Sequence, residues 1–107
     1  MQIQVHYDGL DSSPWMDEFI SNRVSKLNRY LDQSGTIQVY LKFENRKYHS
    51  TMVIHNLGNN YAFSSNGDNL YESFAQAVGK AGRSLGEQKR MLKDKINRRY
   101  IPLKAVA

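Results

Sequence analysis

Ile37, Val39, Leu41 and Phe43 alternate without a break with Gln38, Tyr40, Lys42 and Glu44. A period of two gives an extended segment one apolar and one polar face, so this stretch predicts a β-strand buried on one side only. Such a strand needs neighbours in a sheet and an apolar layer over its inner face. Gln2 to Tyr7 alternates in the same way, with Ile3 and Val5 on one face. A third strand is expected from about Tyr48 to Leu57 after a turn at Asn45-Arg46-Lys47. A short fourth one holding Tyr61 and Phe63 is expected after Gly58-Asn59-Asn60.

The covering layer is written at helical spacing. Ser13-Pro14 supplies an N-cap and a proline at the first helical position, and Asp17 and Glu18 suit the positive end of a helix dipole. Met16, Ile20, Val24, Leu27 and Leu31 then recur through about Asp32, where Ser34-Gly35 is expected to stop the helix. Trp15, beside Pro14, reads as a staple at the helix start rather than as a base-stacking platform. After Asn66-Gly67-Asp68, Asn69 caps a long second helix, with Glu72 completing a capping-box pattern. Leu70, Phe74, Ala77, Ala81, Leu85, Leu92 and Ile96 fall in one sector of it. The expected fold is α+β, a two-layer sandwich of a four-stranded sheet, taken as antiparallel, with two helices on one face, in the order β-α-β-β-β-α. At 107 residues there is room for one core.

The composition excludes several kinds of chemistry. There is no cysteine, hence no disulfide framework, thiolate zinc site or cysteine nucleophile, as suits a reducing cytosol. No apolar run approaches spanning length and the N-terminus has no signal-peptide pattern, so a cytoplasmic protein with no membrane partner is expected. His49 and His55 share a strand face but stand roughly 20 Å apart along it, too far for one metal. No nucleophile elbow, phosphate-cradling glycine loop or carboxylate pair is present. An enzyme, a cofactor, a metal and a small-molecule substrate are therefore not expected.

The charge is polarised along the chain. Residues 1–68 hold six Lys/Arg against seven Asp/Glu, and residues 69–107 hold nine against three, for a net +5. Such a field attracts a polyanion, and nucleic acid is the first candidate. Asn22, Lys26 and Arg29, with Arg23 at the shoulder, face outward on the first helix. Lys80, Arg83, Glu87, Arg90, Asp94 and Arg98 do so on the second. The alternating signs of this last set equally describe a solvated face laced with weak ion pairs. That reading leaves Lys89, Lys93, Lys95 and Arg99 unexplained. Gly79, Gly82 and Gly86 each cost about 1 kcal/mol against alanine in a helix. Close approach of the first helix, or a local bend, is the favoured reason. The alternative is a phosphate backbone lying along them. Tyr40 and Tyr48 could stack on bases from the sheet, although cross-strand packing explains them as well.

The element order, the basic first helix and three short motifs resemble the bacterial ribosome hibernation-promoting factors and ribosome-associated inhibitors, over roughly residues 1–99. Lys26-Leu27-Asn28-Arg29-Tyr30 is similar to that family's Lys-Leu-x-x-Tyr. Asn69-Leu70-Tyr71-Glu72-Ser73-Phe74-Ala75 resembles its Asp-Met-Tyr-x-Ala-Ile-Asp. Lys80-Ala81-Gly82-Arg83-Ser84-Leu85 resembles its Lys-Leu-x-Arg-Gln-Leu. Asn69, Ser73, Ala75 and Ser84 depart from the pattern, whereas Tyr71, Lys80 and Arg83 match it. The resemblance implies a ribosome-binding domain over 1–99 followed by a tail over 100–107. It also implies binding to the small ribosomal subunit and its ribosomal RNA, in the channel used by messenger and transfer RNA. The outcome would be silenced, or with a helper protein dimerised, ribosomes under stress. The residues expected to contact RNA are Arg23, Lys26, Arg29, Lys80, Arg83, Lys89, Arg90, Lys93 and Lys95. The chain ends at Ala107 with neither a second dimerising domain nor an acidic tail, which resembles the short hibernation-promoting branch.

Two other readings compete. A general double-stranded-RNA-binding module in RNA processing would share the layout but place basic residues at the start of its second helix, where this chain has Asp68 and Glu72. A protein-interaction adaptor using the outer sheet face would leave the helix surface unpatterned, against the charge bias.

Overall fold

The structure, a computed structural model, describes the backbone of residues 2–106 and the side chains of residues 2–88. Its elements are β1 (Gln2–Asp8), α1 (Pro14–Ser25), a 3-10 turn (Asn28–Tyr30), β2 (Thr36–Glu44), β3 (Lys47–Asn56), β4 (Asn59–Gly67) and α2 (Leu70–Val106). The expected α+β order is found. The fourth strand is nine residues long rather than short.

The four strands form one sheet in the order β1-β2-β3-β4. β2 with β3 and β3 with β4 are antiparallel, but β1 runs parallel to β2, with Ile3 opposite Ile37 and Val5 opposite Val39. The sheet is therefore mixed, not antiparallel. A strand that leaves through a helix laid across the sheet returns in its original direction, and α1 is that crossover. Both hairpins close over two residues with positive φ: Asn45 (54°) with Arg46 (63°), and Leu57 (52°) with Gly58 (79°). Such turns match the right-handed strand twist.

The expected apolar stripes meet in one core. Met16, Ile20, Val24 and Leu27 cover Ile37, Val39, Leu41, Met52 and Ile54 from one side, and Phe74, Ala77, Ala81 and Leu85 complete it from α2. Phe74 is fully buried, and truncating it to alanine would cost about 3–5 kcal/mol. Phe43, although in phase with this face, lies at the end of β2 and is 43% exposed, tilted against Tyr48 on β3. Tyr48 is thus on the helix side of the sheet and not a platform on the outer face. A buried pair that the sequence does not announce joins helix to sheet: Ser73 Oγ donates to Ser50 Oγ at 2.7 Å. Ser73, a departure from the family pattern, is in this way fully satisfied.

Both N-cap residues are as expected, but Glu72 closes no capping box, its carboxylate accepting from Gln76 Nε2 at 3.4 Å instead. Ser13 Oγ accepts from the Met16 N–H, and Asn69 Oδ1 accepts from the Glu72 N–H at 2.7 Å. The end of α1 is not. The helix stops at Ser25, seven residues before the expected Asp32. Ser25 Oγ donates to the Asn22 carbonyl, and the N–H groups of Lys26 and Leu27 bond three residues back, tightening the backbone into a turn that buries Leu27. Lys26 is therefore the cap residue of α1, and Arg29 lies in the 3-10 turn. At its other extreme the architecture is long. α2 runs for 37 residues, about 55 Å, and outreaches strands of ten residues or fewer. The expected core residues Leu92 and Ile96 have side chains outside the described residues. No described helix is long and apolar enough to cross a membrane.

Candidate nucleic-acid interface

The helix layer carries five of the nine cations expected to meet RNA. Arg23, Lys26, Arg29, Lys80 and Arg83 are all exposed. Lys89, Arg90, Lys93 and Lys95 have side chains outside the described residues.

Each arginine of the first helical segment is laid on a ring. The Arg23 guanidinium stands 5.1 Å from the centroid of Phe19, and that of Arg29 stands 5.3 Å from the centroid of Tyr30. An arginine stacked in this way loses little freedom on meeting a phosphate, and Arg29 is further held by its Nε donating to the Lys26 carbonyl at 3.4 Å. Phe19 is itself fixed by edge contacts with Tyr71, at 4.9 Å, and Phe74, at 6.2 Å.

The 3-10 turn brings Arg29 toward α2. Leu27 Cδ2 lies 3.8 Å from the position a Cβ would take on Gly82, and the Tyr30 hydroxyl oxygen lies 3.5 Å from that position on Gly86. Both distances are ordinary van der Waals contact, so the expected close approach does not by itself require glycine at either position. Nothing lies within 4 Å of a Cβ at Gly79. Tyr30, Gly79, Gly82, Arg83, Gly86 and Glu87 line an open hollow of about 540 Å³. Arg29 and Arg83 thus flank the same tyrosine from two elements.

Lys80 does not join them. It reaches across the other flank of α2 and donates to the Ser64 carbonyl at 2.8 Å, beside a polar hollow that His49, Thr51 and Gln76 also line. Its expected place opposite the apolar stripe is corrected by this contact, since the edge of β4 offers an open carbonyl.

The ion pairs of the described residues leave the cationic surface charged. Lys42 is paired with Glu44 at 2.9 Å and Lys47 with Asp68 at 2.6 Å, while Arg23, Lys26, Lys80 and Arg83 are in no ion pair among the described residues. In particular Arg83 does not pair with Glu87 one turn on, so the expected lacing of that face is not found where it is described. The hydrogen bond from Lys47, reinforced by its charge, holds the Asp68 carboxyl below the usual range and raises the ammonium in turn.

The remaining candidates have local explanations. His49 Nε2 meets the Glu44 carbonyl oxygen at 3.2 Å, and His55 Nδ1 meets Asn60 Oδ1. Tyr40 is 41% exposed on the outer sheet face as expected, but one side of its ring is stacked on His6 at 4.7 Å. Trp15 is 76% exposed and so is no staple. With Ser13 as N-cap and Pro14 first in the helix, its indole is carried outside the core layer. The ring supports under Arg23 and Arg29 were readable only as spacings, Phe19 four residues before Arg23 and Tyr30 next to Arg29.

Comparison with known proteins finds relatives in sequence and in fold. The chain is 26% identical over 93 residues to the ribosome hibernation promoting factor of Escherichia coli strain K12, covering 87% of this chain and 98% of that protein. It is 25% identical, over the same spans, to the protein of that name in Klebsiella oxytoca. Two solved structures share the fold, each with a TM-score of 0.73 and 17% identity. The Thermus thermophilus Protein Y N-terminal domain covers 79% of this chain, with 96% of its own length matched. A ribosomal subunit interface protein from Coxiella burnetii covers 84%, with 99% matched. The family model described as Sigma 54 modulation protein / S30EA ribosomal protein matches residues 3–93, a span that takes in β1 from Ile3, the other three strands, α1 and eight of the nine expected RNA contacts. The chain therefore belongs to the Sigma 54 modulation protein / S30EA ribosomal protein family.

Proposed function

We propose that this protein is a ribosome hibernation factor of the bacterial cytoplasm. In this reading the helix layer binds the small ribosomal subunit through its ribosomal RNA. There the domain occludes the channel for messenger and transfer RNA and silences the ribosome under stress. The observation that carries the reading is the row of exposed cations on the helix layer, with Arg23, Lys26 and Arg83 in no ion pair among the described residues. A rigid basic wedge can fill a phosphate-lined groove and block it without chemistry. Contacts from Lys89, Arg90, Lys93 and Lys95 would extend the same surface along α2, and residues 1–99 would form the binding domain with 100–107 as its tail. The start of α2 is spent on the Asn69 cap and on the Lys47–Asp68 pair, which speaks against a double-stranded-RNA module that grips phosphates there.

The test is sedimentation with purified small subunits. If about six phosphates are neutralised, affinity falls roughly a thousandfold between about 50 and 200 mM salt. Lys26→Glu with Arg29→Glu, and Arg83→Glu alone, weaken association while the protein stays folded, and Thr51→Glu on the sheet does little. A flat salt dependence, or loss of binding in the sheet variant alone, overturns the assignment.

A further inference from the structure

Trp15 has the greatest fractional exposure among the large apolar side chains of the described residues, at 76%. Nothing in the fold requires an indole there. The cap is made by Ser13, the first helical position is held by Pro14, and the core begins at Met16. Leaving a tryptophan in water forgoes the burial of a large apolar surface, so its surroundings bear on what it meets.

Phe19 follows Trp15 by four residues and Arg23 follows Phe19 by four, which places the three on one side of α1. Phe19 is wedged edge-on against Tyr71, which is itself 45% exposed, and it carries the Arg23 guanidinium over its face. Asp17 is turned elsewhere, accepting a hydrogen bond from the Tyr7 hydroxyl at 2.6 Å. The stripe is thus aromatic, aromatic, cation, with the exposed Glu18 beside its start; Lys26, the cap residue of α1, and Arg29, in the 3-10 turn, are exposed beyond its end. Rings beside cations are how sequence-tolerant proteins hold single-stranded nucleic acid: the rings stack on bases and the cations hold the phosphates between them. Aromatics with arginine also mark protein interfaces. The cations decide between them, because Arg23 and Lys26, in no ion pair among the described residues, leave the far end of α1 positive despite Glu18 near its start.

We propose that Trp15, at the head of the Phe19–Arg23 stripe, is a stacking platform for an unpaired RNA base. The proposal rests on the RNA-binding reading above and adds a base contact to what is otherwise a phosphate-gripping surface.

Trp15 is the only tryptophan in the chain, so its emission reports this site alone. A single-stranded RNA decamer of mixed sequence, at low salt, should quench it. An abasic decamer of the same length should bind, by anisotropy of an end label, with much less quenching. Trp15→Ala should weaken both decamer and small-subunit binding about tenfold, and Trp15→Phe should restore most of it, with thermal stability unchanged in each. Equal quenching by the abasic strand, or wild-type affinity in Trp15→Ala, overturns the platform. So does a Trp15→Ala variant that loses small subunits while the decamer leaves the wild-type emission unchanged, since the indole then meets protein. If the wild-type protein binds neither RNA nor subunits, the underlying reading falls too. If it binds both with unquenched emission, only the platform falls.

Discussion

The Lys80 ammonium donates to the main-chain carbonyl of Ser64 at 2.8 Å, spanning from α2 to the outer edge of β4. β4 ends the sheet, and an unpaired edge carbonyl invites another strand. A side chain held in that bond is less available to RNA than one extended into solvent. Lys80→Gln should therefore lower stability by about 0.5–1 kcal/mol, whereas Arg83→Gln stays within about 0.5 kcal/mol of wild type. Small-subunit affinity should show the reverse order. Urea unfolding and sedimentation of the two variants check this, and identical behaviour would mean the contact has no energetic weight.

Gly79 faces open space, unlike Gly82 under Leu27 and Gly86 under Tyr30. Gly79→Ala should stabilise the protein by about 0.8–1 kcal/mol, the helix-propensity difference alone. Thermal unfolding should rise by several degrees, roughly 4–8 °C per kcal/mol for a domain of this size. A fall in stability would show that the hollow beside Arg83 closes on itself in solution.

Leu57 sits at φ 52°, a conformation a leucine rarely adopts, and is 74% exposed, so little packing compensates for it. Asparagine is far better tolerated there, and Leu57→Asn makes the Asn-Gly pair favoured in two-residue hairpins. A gain of about 1 kcal/mol is expected in chemical denaturation. Leu57→Val, β-branched at the same φ, should destabilise.

Tyr7 gives an alkaline limit. Burial, and then the hydrogen bond to Asp17, push its phenol up from 10.0 to about 12. The folded value lies above the unfolded one, so the contribution is complete below pH 10 and is lost as pH rises through about 12. The Tyr7 contribution to an alkaline absorbance titration should come in near 12 and be missing in Tyr7→Phe. Stability of the wild type should converge on that of the variant across this window. A Tyr7 contribution titrating at 10.0 would mean the Asp17 bond does not persist.

Much of the architecture was legible because its determinants are local. The alternation through Ile37, Val39 and Leu41, the stripe from Met16 to Val24, that from Phe74 to Leu85, and the caps at Ser13 and Asn69 depend on residues a few positions apart, and these hold in the structure. What could not be read depends on partners distant in sequence. The parallel pairing of β1 follows from where α1 crosses the sheet, and the early stop of α1 is tied to the seating of Leu27 in the core. Phe43 is in phase with the core yet beyond its end, and Ser50 finds Ser73 only when helix meets sheet. At the interface, the types and exposure of Arg23, Lys26, Arg29 and Arg83 were legible from charge and spacing. The turn of Lys80 toward β4 and the exposure of Trp15 were not, because each is decided by what the rest of the fold leaves uncovered.

The parallel strand also sets an order of assembly. β2, β3 and β4 form a meander closed by two-residue turns, so their pairings cost little chain entropy. β1 can register against β2 only after residues 9–35 have looped over and α1 has found its place. Long-range pairing of this kind is slow to close and gives its return late. We expect Ile54→Val in the meander to slow folding, with a φ-value well above that of Val5→Ala, which should chiefly accelerate unfolding. The first strand to leave the ribosome would then be the last to join the sheet.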